Sequence, residues 1–167
     1  MDQGLAAVLG ALVGALATGG GTYLTARSTA SLHKRQARKE AYRRFLLDAD
    51  PLCRRFTEIT DQLYSSRCGS QPLPEGIEQR VAEIDTKAEA LELHMVDVQL
   101  EGTSDIMNEV AEIMFCVSHL QHILDDWVDR FTPDLPISEA EWHEAAREEH
   151  RFQDHLMRFA MQAREHI

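Results

Sequence analysis

The stretch "IMNEVAEIMFCVSHLQHILDDWVDRF", residues 106–131, decides the fold. Its large apolar side chains recur at alternating steps of three and four residues, which is the spacing of one face of an α-helix. These positions are Ile106, Val110, Ile113, Val117, Leu120, Leu124, Trp127 and Phe131. One continuous apolar stripe indicates a helix packed against other helices, since the side chains of a strand would alternate every second residue.

Three other segments carry the same spacing, and each predicts a helix of the same kind. The first stripe contains Tyr42, Phe45, Ala49, Leu52, Phe56, Ile59 and Leu63. The second contains Ile77, Val81, Ile84, Ala88, Leu91, Met95 and Val98. The last is less regular, because a glutamate occupies one of its positions; it contains Trp142, Ala145, Glu149, Phe152, Leu156, Phe159 and Ala163.

Three breaks separate these stripes: "CGSQPLPEG" at 68–76, "EGTSD" at 101–105 and "TPDLPISEAE" at 132–141. They are rich in proline, glycine and helix-capping residues, and Ser138 with Glu141 matches a capping box. No stretch alternates like a strand. The sequence therefore predicts an all-α fold: an N-terminal helix followed by an up-down four-helix bundle with short connections.

Pro51 interrupts the first stripe without shifting its phase from Ala49 to Leu52. Proline inside a helix removes a hydrogen bond and kinks the chain, whereas proline in a first turn is tolerated. The pattern favours a long, kinked, nearly continuous first helix. A second helix capped by Asp50 is the alternative.

The first residues contain the only long apolar segment, "LGALVGALATGGGTYL" at 9–24. No charged residue occurs between Asp2 and Arg27. As a helix these 24 residues would measure about 36 Å, enough to cross a hydrocarbon layer of about 30 Å. A cleaved signal peptide would have basic residues before its apolar core, and none are present. We therefore expect an uncleaved single span in residues 1–26.

A basic segment follows, and it predicts orientation and location. Cytoplasmic flanks of membrane helices are enriched in Lys and Arg, so the N-terminus should lie outside the bacterial inner membrane and the remainder in the cytoplasm. The same residues are expected to contact anionic lipid head groups. They are Arg27, Lys34, Arg35, Arg38, Lys39, Arg43 and Arg44.

The expected span separates large side chains from small ones. The small face permits close helix approach and predicts association with another copy, or with another membrane helix. Its residues are Ala7, Gly10, Ala11, Gly14, Thr18, Gly21 and Thr22. The resulting domains are a span at 1–26, a basic juxtamembrane helix at 27–44 and an acidic cytoplasmic bundle at 45–167.

The charge of the chain excludes one class of partner. The net charge is −11, and residues 68–167 hold 22 acidic side chains against seven Lys or Arg. Such a surface argues against nucleic acid. The three cysteines lack the spacing of a zinc site and are expected to be reduced thiols.

Few residues suggest chemistry. His119, His122 and Asp126 share one helix face and are candidates for a metal site, although they lie opposite the predicted core. No Glu-x-x-His pair, phosphate-binding loop or G-x-S-x-G motif occurs in the sequence. We therefore expect no enzyme activity and no cofactor.

The segment "TARSTASLHKRQARKEAYRRFLLDAD" at 25–50 carries a resemblance. With the Gly/Ala-rich segment before it, it resembles small bacterial single-span membrane proteins of unassigned function, which share an "AYxxFL"-like motif, here 41–46. The resemblance covers residues 4–50 and implies a membrane-anchored helical protein. It carries no catalytic residues to this chain.

These features together predict a membrane-anchored scaffold that self-associates and binds a cytoplasmic protein. Two alternatives stay open at this point. The first is an oligomeric membrane effector or pore gated by the bundle, and the second is a metal-dependent bundle enzyme.

Overall fold

The structure, a computed structural model, describes the backbone of residues 3–68, 74–130 and 137–166. Side chains are described for residues 29, 31–66, 74–130 and 137–166. This part of the chain contains four helices and no strand, which confirms the all-α prediction. The helices are α1 (Gln3–Cys68), α2 (Ile77–Glu101), α3 (Ser104–Asp129) and α4 (Glu139–Glu165).

The chain divides into two compact units, Met1–Ala37 and Arg38–Ile167. The second unit contains the remainder of α1 together with α2, α3 and α4, and it holds the apolar core. The domain boundaries predicted after residues 26 and 44 stay predictions.

The expected membrane location is corrected by the structure. Within the described residues, no helix combines the length and the apolarity that crossing a bilayer requires. The physical reason is that charged side chains recur every few residues along the helices wherever side chains are described, which in α1 means residue 29 and residues 31–66. We therefore do not retain the single-pass inner-membrane location with an outward N-terminus. The side chains of the predicted small face, Ala7 to Thr22, lie outside the described residues.

Helices in the second unit pack antiparallel. At three interfaces the contacting residues run in opposite directions along the sequence. Between α1 and α2 the pairs are Arg38–Glu101, Asp48–His94 and Arg55–Glu83. Between α3 and α4 they are Glu109–His155, Glu112–Arg151 and Arg130–Glu141, and between α1 and α4 they are Tyr42–Phe159, Phe56–Phe152 and Tyr64–Trp142. Helix α2 also packs against α3, where Gln121 donates to Asp85 over 2.8 Å. Helix α1 therefore contacts both α2 and α4.

The core is built from the predicted stripes. Every stripe residue of α1 is buried, and so are those of α3 up to Trp127; Phe131 lies outside the described residues. Met95 and Trp142 are only partly buried. The core also contains Cys53 and Cys116 as free thiols, and burial raises the pKa of each to about 12. Both cysteines are therefore protonated, inert packing residues at neutral pH.

Helix α1 continues through Pro51, with Ala49 and Leu52 fully buried on either side. The alternative of a new helix starting at Asp50 is not observed. Pro51 itself is exposed, so its ring points away from the core. The undisturbed phase of the apolar stripe explains why packing maintains the helix across a residue that weakens it.

Local sequence signals position the helix ends. Gly76 precedes α2 with a φ of 73°, a conformation that favours glycine. A Cβ on Gly102 would lie 2.7 Å from the carbonyl oxygen of Val98, so glycine permits the tight connection to α3. The predicted capping box is present: the Ser138 hydroxyl accepts from the Glu141 N–H, and the Glu141 carboxylate accepts from the Ser138 N–H.

Phe159 provides a test of the contact between α1 and α4. Replacing it with alanine leaves a cavity beside Tyr42 and Phe45, so Phe159→Ala should lower the free energy of unfolding by about 3–5 kcal/mol. Met157 on the same helix is 62% exposed, and Met157→Ala should change stability by less than about 0.5 kcal/mol. Urea unfolding followed by circular dichroism measures both. Equal losses would contradict this packing.

The capping box predicts a pH-dependent contribution to stability. Hydrogen bonds from Ser138 and the Arg130 guanidinium lower the pKa of Glu141 to about 2. Because the folded state favours the ionised carboxylate, Glu141→Gln should cost about 0.5–1 kcal/mol above pH 5. That cost should disappear as the pH falls from about 4.3 towards 2. Thermal unfolding between pH 2 and pH 7 checks it, with Glu144→Gln on the exposed face as control; a cost independent of pH would contradict the assignment.

Candidate functional site

A groove with a volume of about 730 Å³ lies between α1 and α4 on the outside of the bundle. Its walls are apolar in the middle and charged towards the edges. The α1 wall contains Lys39, Tyr42, Arg43, Leu46, Leu47, Asp50, Cys53 and Arg54. The α4 wall contains Gln153, Leu156, Met157, Ala160, Ala163 and Arg164. Small side chains on α4 leave the space between the two helices open.

Two large apolar side chains stand at the solvent edge of this groove. Leu47 of α1 is 60% exposed and Met157 of α4 is 62% exposed. Both lie one or two positions along the sequence from a residue of the core stripe. A polar side chain at either position would be compatible with folding of the bundle. Scattered exposed apolar residues are common, but facing pairs on both walls of one groove are typical of an interaction surface.

The groove has a positive edge in a protein of negative net charge. Four basic side chains, Lys39, Arg43, Arg54 and Arg164, surround it, against the single acidic residue Asp50. Asp50 accepts from Arg54 over 2.6 Å, so that pair is neutral. The other three cations have no partner among the described carboxylates. A surface that is apolar in the middle and cationic at the edge therefore faces solvent.

The structure distributes the basic residues expected to contact lipid among different environments. Lys39 and Arg43 line the groove, while Arg38 donates to the carbonyl oxygen of Glu101 over 2.7 Å. Arg44 pairs with Glu40 on the same helix. Lys34 and Arg35 are exposed, and the side chain of Arg27 lies outside the described residues.

A second polar cluster joins α3 to α4. Arg151 bridges Glu112 and Glu148, and its guanidinium lies 5.2 Å from the ring centroid of Phe115. One turn further along α4, the His155 ring lies 2.7 Å from a carboxylate oxygen of Glu109. The members pair with one another across the interface, so the arrangement ties the helices together. Within it, Cys116 is the residue that could act as a nucleophile, and its raised pKa keeps it protonated.

The predicted metal residues occupy separate environments. His119 points towards α4, with Nδ1 at 3.6 Å from the Glu148 carboxylate. Asp126 pairs with Arg130, and His122 is exposed. In the described portion of the chain, no three His, Cys, Asp or Glu side chains are arranged to hold a metal ion.

Glu149 is the unusual member of the fourth stripe, and it is buried at 7% exposure. It lies beside the Thr60 hydroxyl, which is also within 3.0 Å of the Phe56 carbonyl oxygen. Burial raises the pKa of Glu149 because the charged form loses its hydration. The Thr60 hydroxyl donates to Oε1 of Glu149, and this hydrogen bond opposes part of the rise because it favours the carboxylate form.

Sequence reasoning did not find the groove. The core stripes identified its floor residues, such as Tyr42 and Leu156, only as packing positions. The signal that could have indicated it is the presence of large apolar residues next to a stripe, here Leu47 and Met157. Those residues become a site only because α1 and α4 are neighbours in space.

Comparison with known proteins supplies no assignment for this groove. No protein family, curated protein or solved structure was found to match the chain. The resemblance of residues 4–50 to small bacterial membrane proteins therefore stays a prediction.

Glu149 gives a prediction about pH. A carboxyl whose pKa is raised on folding destabilises the folded state as the pH rises past its ordinary value of about 4.3. The free energy of unfolding of Glu149→Gln, relative to that of the unchanged protein, should therefore increase as the pH is raised from 4 to 8. Urea unfolding at both pH values measures this difference.

The neighbouring Glu148 serves as the control for this experiment. Its carboxylate pairs with Arg151, so Glu148→Gln should lose stability at pH 8 instead of gaining it. A Glu149→Gln effect that is the same at pH 4 and pH 8 would show that the buried carboxyl does not change its protonation on folding.

Proposed function

We propose that the bundle is a protein-interaction module whose α1–α4 groove binds one face of an amphipathic helix. The observation that carries this proposal is the open apolar groove, bordered by three basic side chains that have no described carboxylate partner. The preferred ligand is a helix with two or three large apolar residues on one face and carboxylates beside them. This retains the protein-binding part of the sequence prediction and omits the membrane.

The dimensions of the groove suit a helix. Its α1 wall runs from Lys39 to Arg54, which is about 22 Å at the helical rise of 1.5 Å per residue. That length matches about four turns of a ligand helix, enough for apolar side chains at i, i+3 or i+4, and i+7. A ligand helix that lies over α1 and α4 would pack its side chains between theirs, with its axis about 8–10 Å from the axis of each helix.

The edge charges give the groove its selectivity. Lys39, Arg43 and Arg164 attract carboxylates beside the apolar face of a ligand and repel basic helices. Charged groups at the edge of an interface act mainly on partner choice and on association rate. Binding should therefore weaken as salt rises, because these charges are exposed and readily screened.

The other predicted functions have less support. The membrane effector depended on a span and is not proposed. The metal-dependent enzyme would need several metal ligands close together, and the described residues contain no such group. The histidine–carboxylate pairs between α3 and α4 are used for packing. An interaction function uses the groove as it stands.

A designed helical peptide tests the proposal. The probe is a fluorescein-labelled 18-residue helix with Leu at three positions of one face and Glu beside them. It should bind the full chain, and a matched peptide with Lys in place of Glu should bind at least tenfold more weakly. Fluorescence anisotropy at low and at physiological salt measures both affinities. Met157→Glu should abolish binding, because it places a carboxylate in the apolar centre of the groove.

The control variant is Phe115→Glu, which changes an equally exposed apolar residue on the α3–α4 side of the bundle. It should bind the Glu peptide like the unchanged chain. Failure of the Glu peptide to bind, or binding that Met157→Glu leaves intact, would contradict the proposal. Displacement of the peptide by micromolar palmitate would identify the groove as a site for anionic amphiphiles and would also contradict it.

A further inference from the structure

Helix α2 carries a second apolar stripe that the bundle leaves uncovered. Leu93, Val96 and Leu100 follow one another at i, i+3 and i+7, which places them on one face. They are 72%, 47% and 76% exposed, while Leu91 and Val98 on the inner face are fully buried. These three residues are called the α2 ridge below. Helix α2 is therefore apolar on two faces, and packing within one copy uses only one of them.

The surroundings of the α2 ridge are acidic. Glu89 and Glu92 are exposed beside it and have no basic partner among the described residues, while Asp97 lies near His94 on the far side. From Ala88 to Asp129 inclusive the sequence contains ten acidic residues and no Lys or Arg. The α2–α3 side of the bundle thus contributes much of the negative charge of the protein.

The α2 ridge and the α1–α4 groove are complementary. The groove requires a helix with apolar residues at i, i+3 and i+7 and carboxylates beside them, and the α2 ridge presents this pattern on a helix that is already folded. Leu93 and Leu100 match the exposed apolar residues of the groove, and Glu89 and Glu92 match its unpaired cations. A preformed helix loses little conformational entropy on docking.

We propose that the occupant of the groove is the α2 ridge of a second copy of this chain. The proposal rests on the proposed function, which it deepens by naming the partner. In this contact the groove of one copy holds the α2 ridge of the next, head to tail, so each pair leaves one free groove and one free ridge. Repetition of such a contact gives a ring if the rotation closes and a filament if it does not.

The head-to-tail geometry permits a complementation test. Leu47→Glu disables the groove and leaves the α2 ridge intact, whereas Leu93→Lys disables the ridge and leaves the groove intact. Both residues are largely exposed, so both variants should fold. Sedimentation velocity of the full chain over a hundredfold concentration range should show the unchanged protein assembling beyond a dimer. Each variant alone should be a monomer, with association weakened at least tenfold.

An equimolar mixture of the two variants distinguishes this contact from any other. One intact groove should meet one intact ridge and form a 1:1 dimer that cannot grow. A symmetric groove-to-groove or ridge-to-ridge interface cannot be restored by mixing, so a mixture that stays monomeric overturns the proposal. Assembly of either variant alone with the affinity of the unchanged chain overturns it as well. Phe115→Glu is the matched control and should assemble normally.

The outcomes for the two proposals are separable. If the designed peptide binds the groove while the unchanged chain remains a monomer throughout the concentration range, the proposed interaction function is supported. The proposal that a second copy occupies the groove is then wrong. If the chain assembles through the ridge and the mixture forms the dimer, both are supported. If neither peptide binding nor assembly responds to substitutions in the groove, both are wrong.

Discussion

The packing of α1 against α4 is the contact on which the remainder of the bundle depends. Consecutive helices are joined by short connections, whereas α1 and α4 stand at the two ends of the sequence and meet only through side chains. Phe159 lies between Tyr42 and Phe45, with ring centroids at 5.6 and 5.1 Å, and anchors one end of this contact. The same contact aligns the two walls of the groove, so stability and the proposed interaction surface have one origin.

The sequence predicted the core because the long apolar stripe of each helix is buried whichever helix covers it. The sequence also showed the polar exception in this core: Glu149 occupies a position of the fourth stripe, and it is buried there. The groove was beyond this reasoning. Exposed residues such as Leu47 and Met157 form a surface only once helix neighbours are known. The predicted membrane location was wrong: it was inferred from the absence of charge in one segment, and no helix among the described residues is both long and apolar enough to cross a bilayer.

Charge in this protein is organised by helix. Basic side chains cluster where α1 and α4 border the groove, and acidic ones dominate α2 and α3. The net charge of −11 describes neither surface. Such separation gives the bundle an electrical polarity, which favours ordered contacts between unlike sides over random association.

The two-residue link between α2 and α3 has a consequence for how the molecule forms. Gly102 allows the chain to turn where a Cβ would clash with the Val98 carbonyl oxygen, so α2 and α3 are joined by the shortest connection in the bundle. We expect this hairpin to nucleate early and the closure of α1 onto α4 to come last, because that closure brings together the most distant parts of the chain. A nascent chain would then expose the apolar α2 ridge before it has completed any groove to receive it.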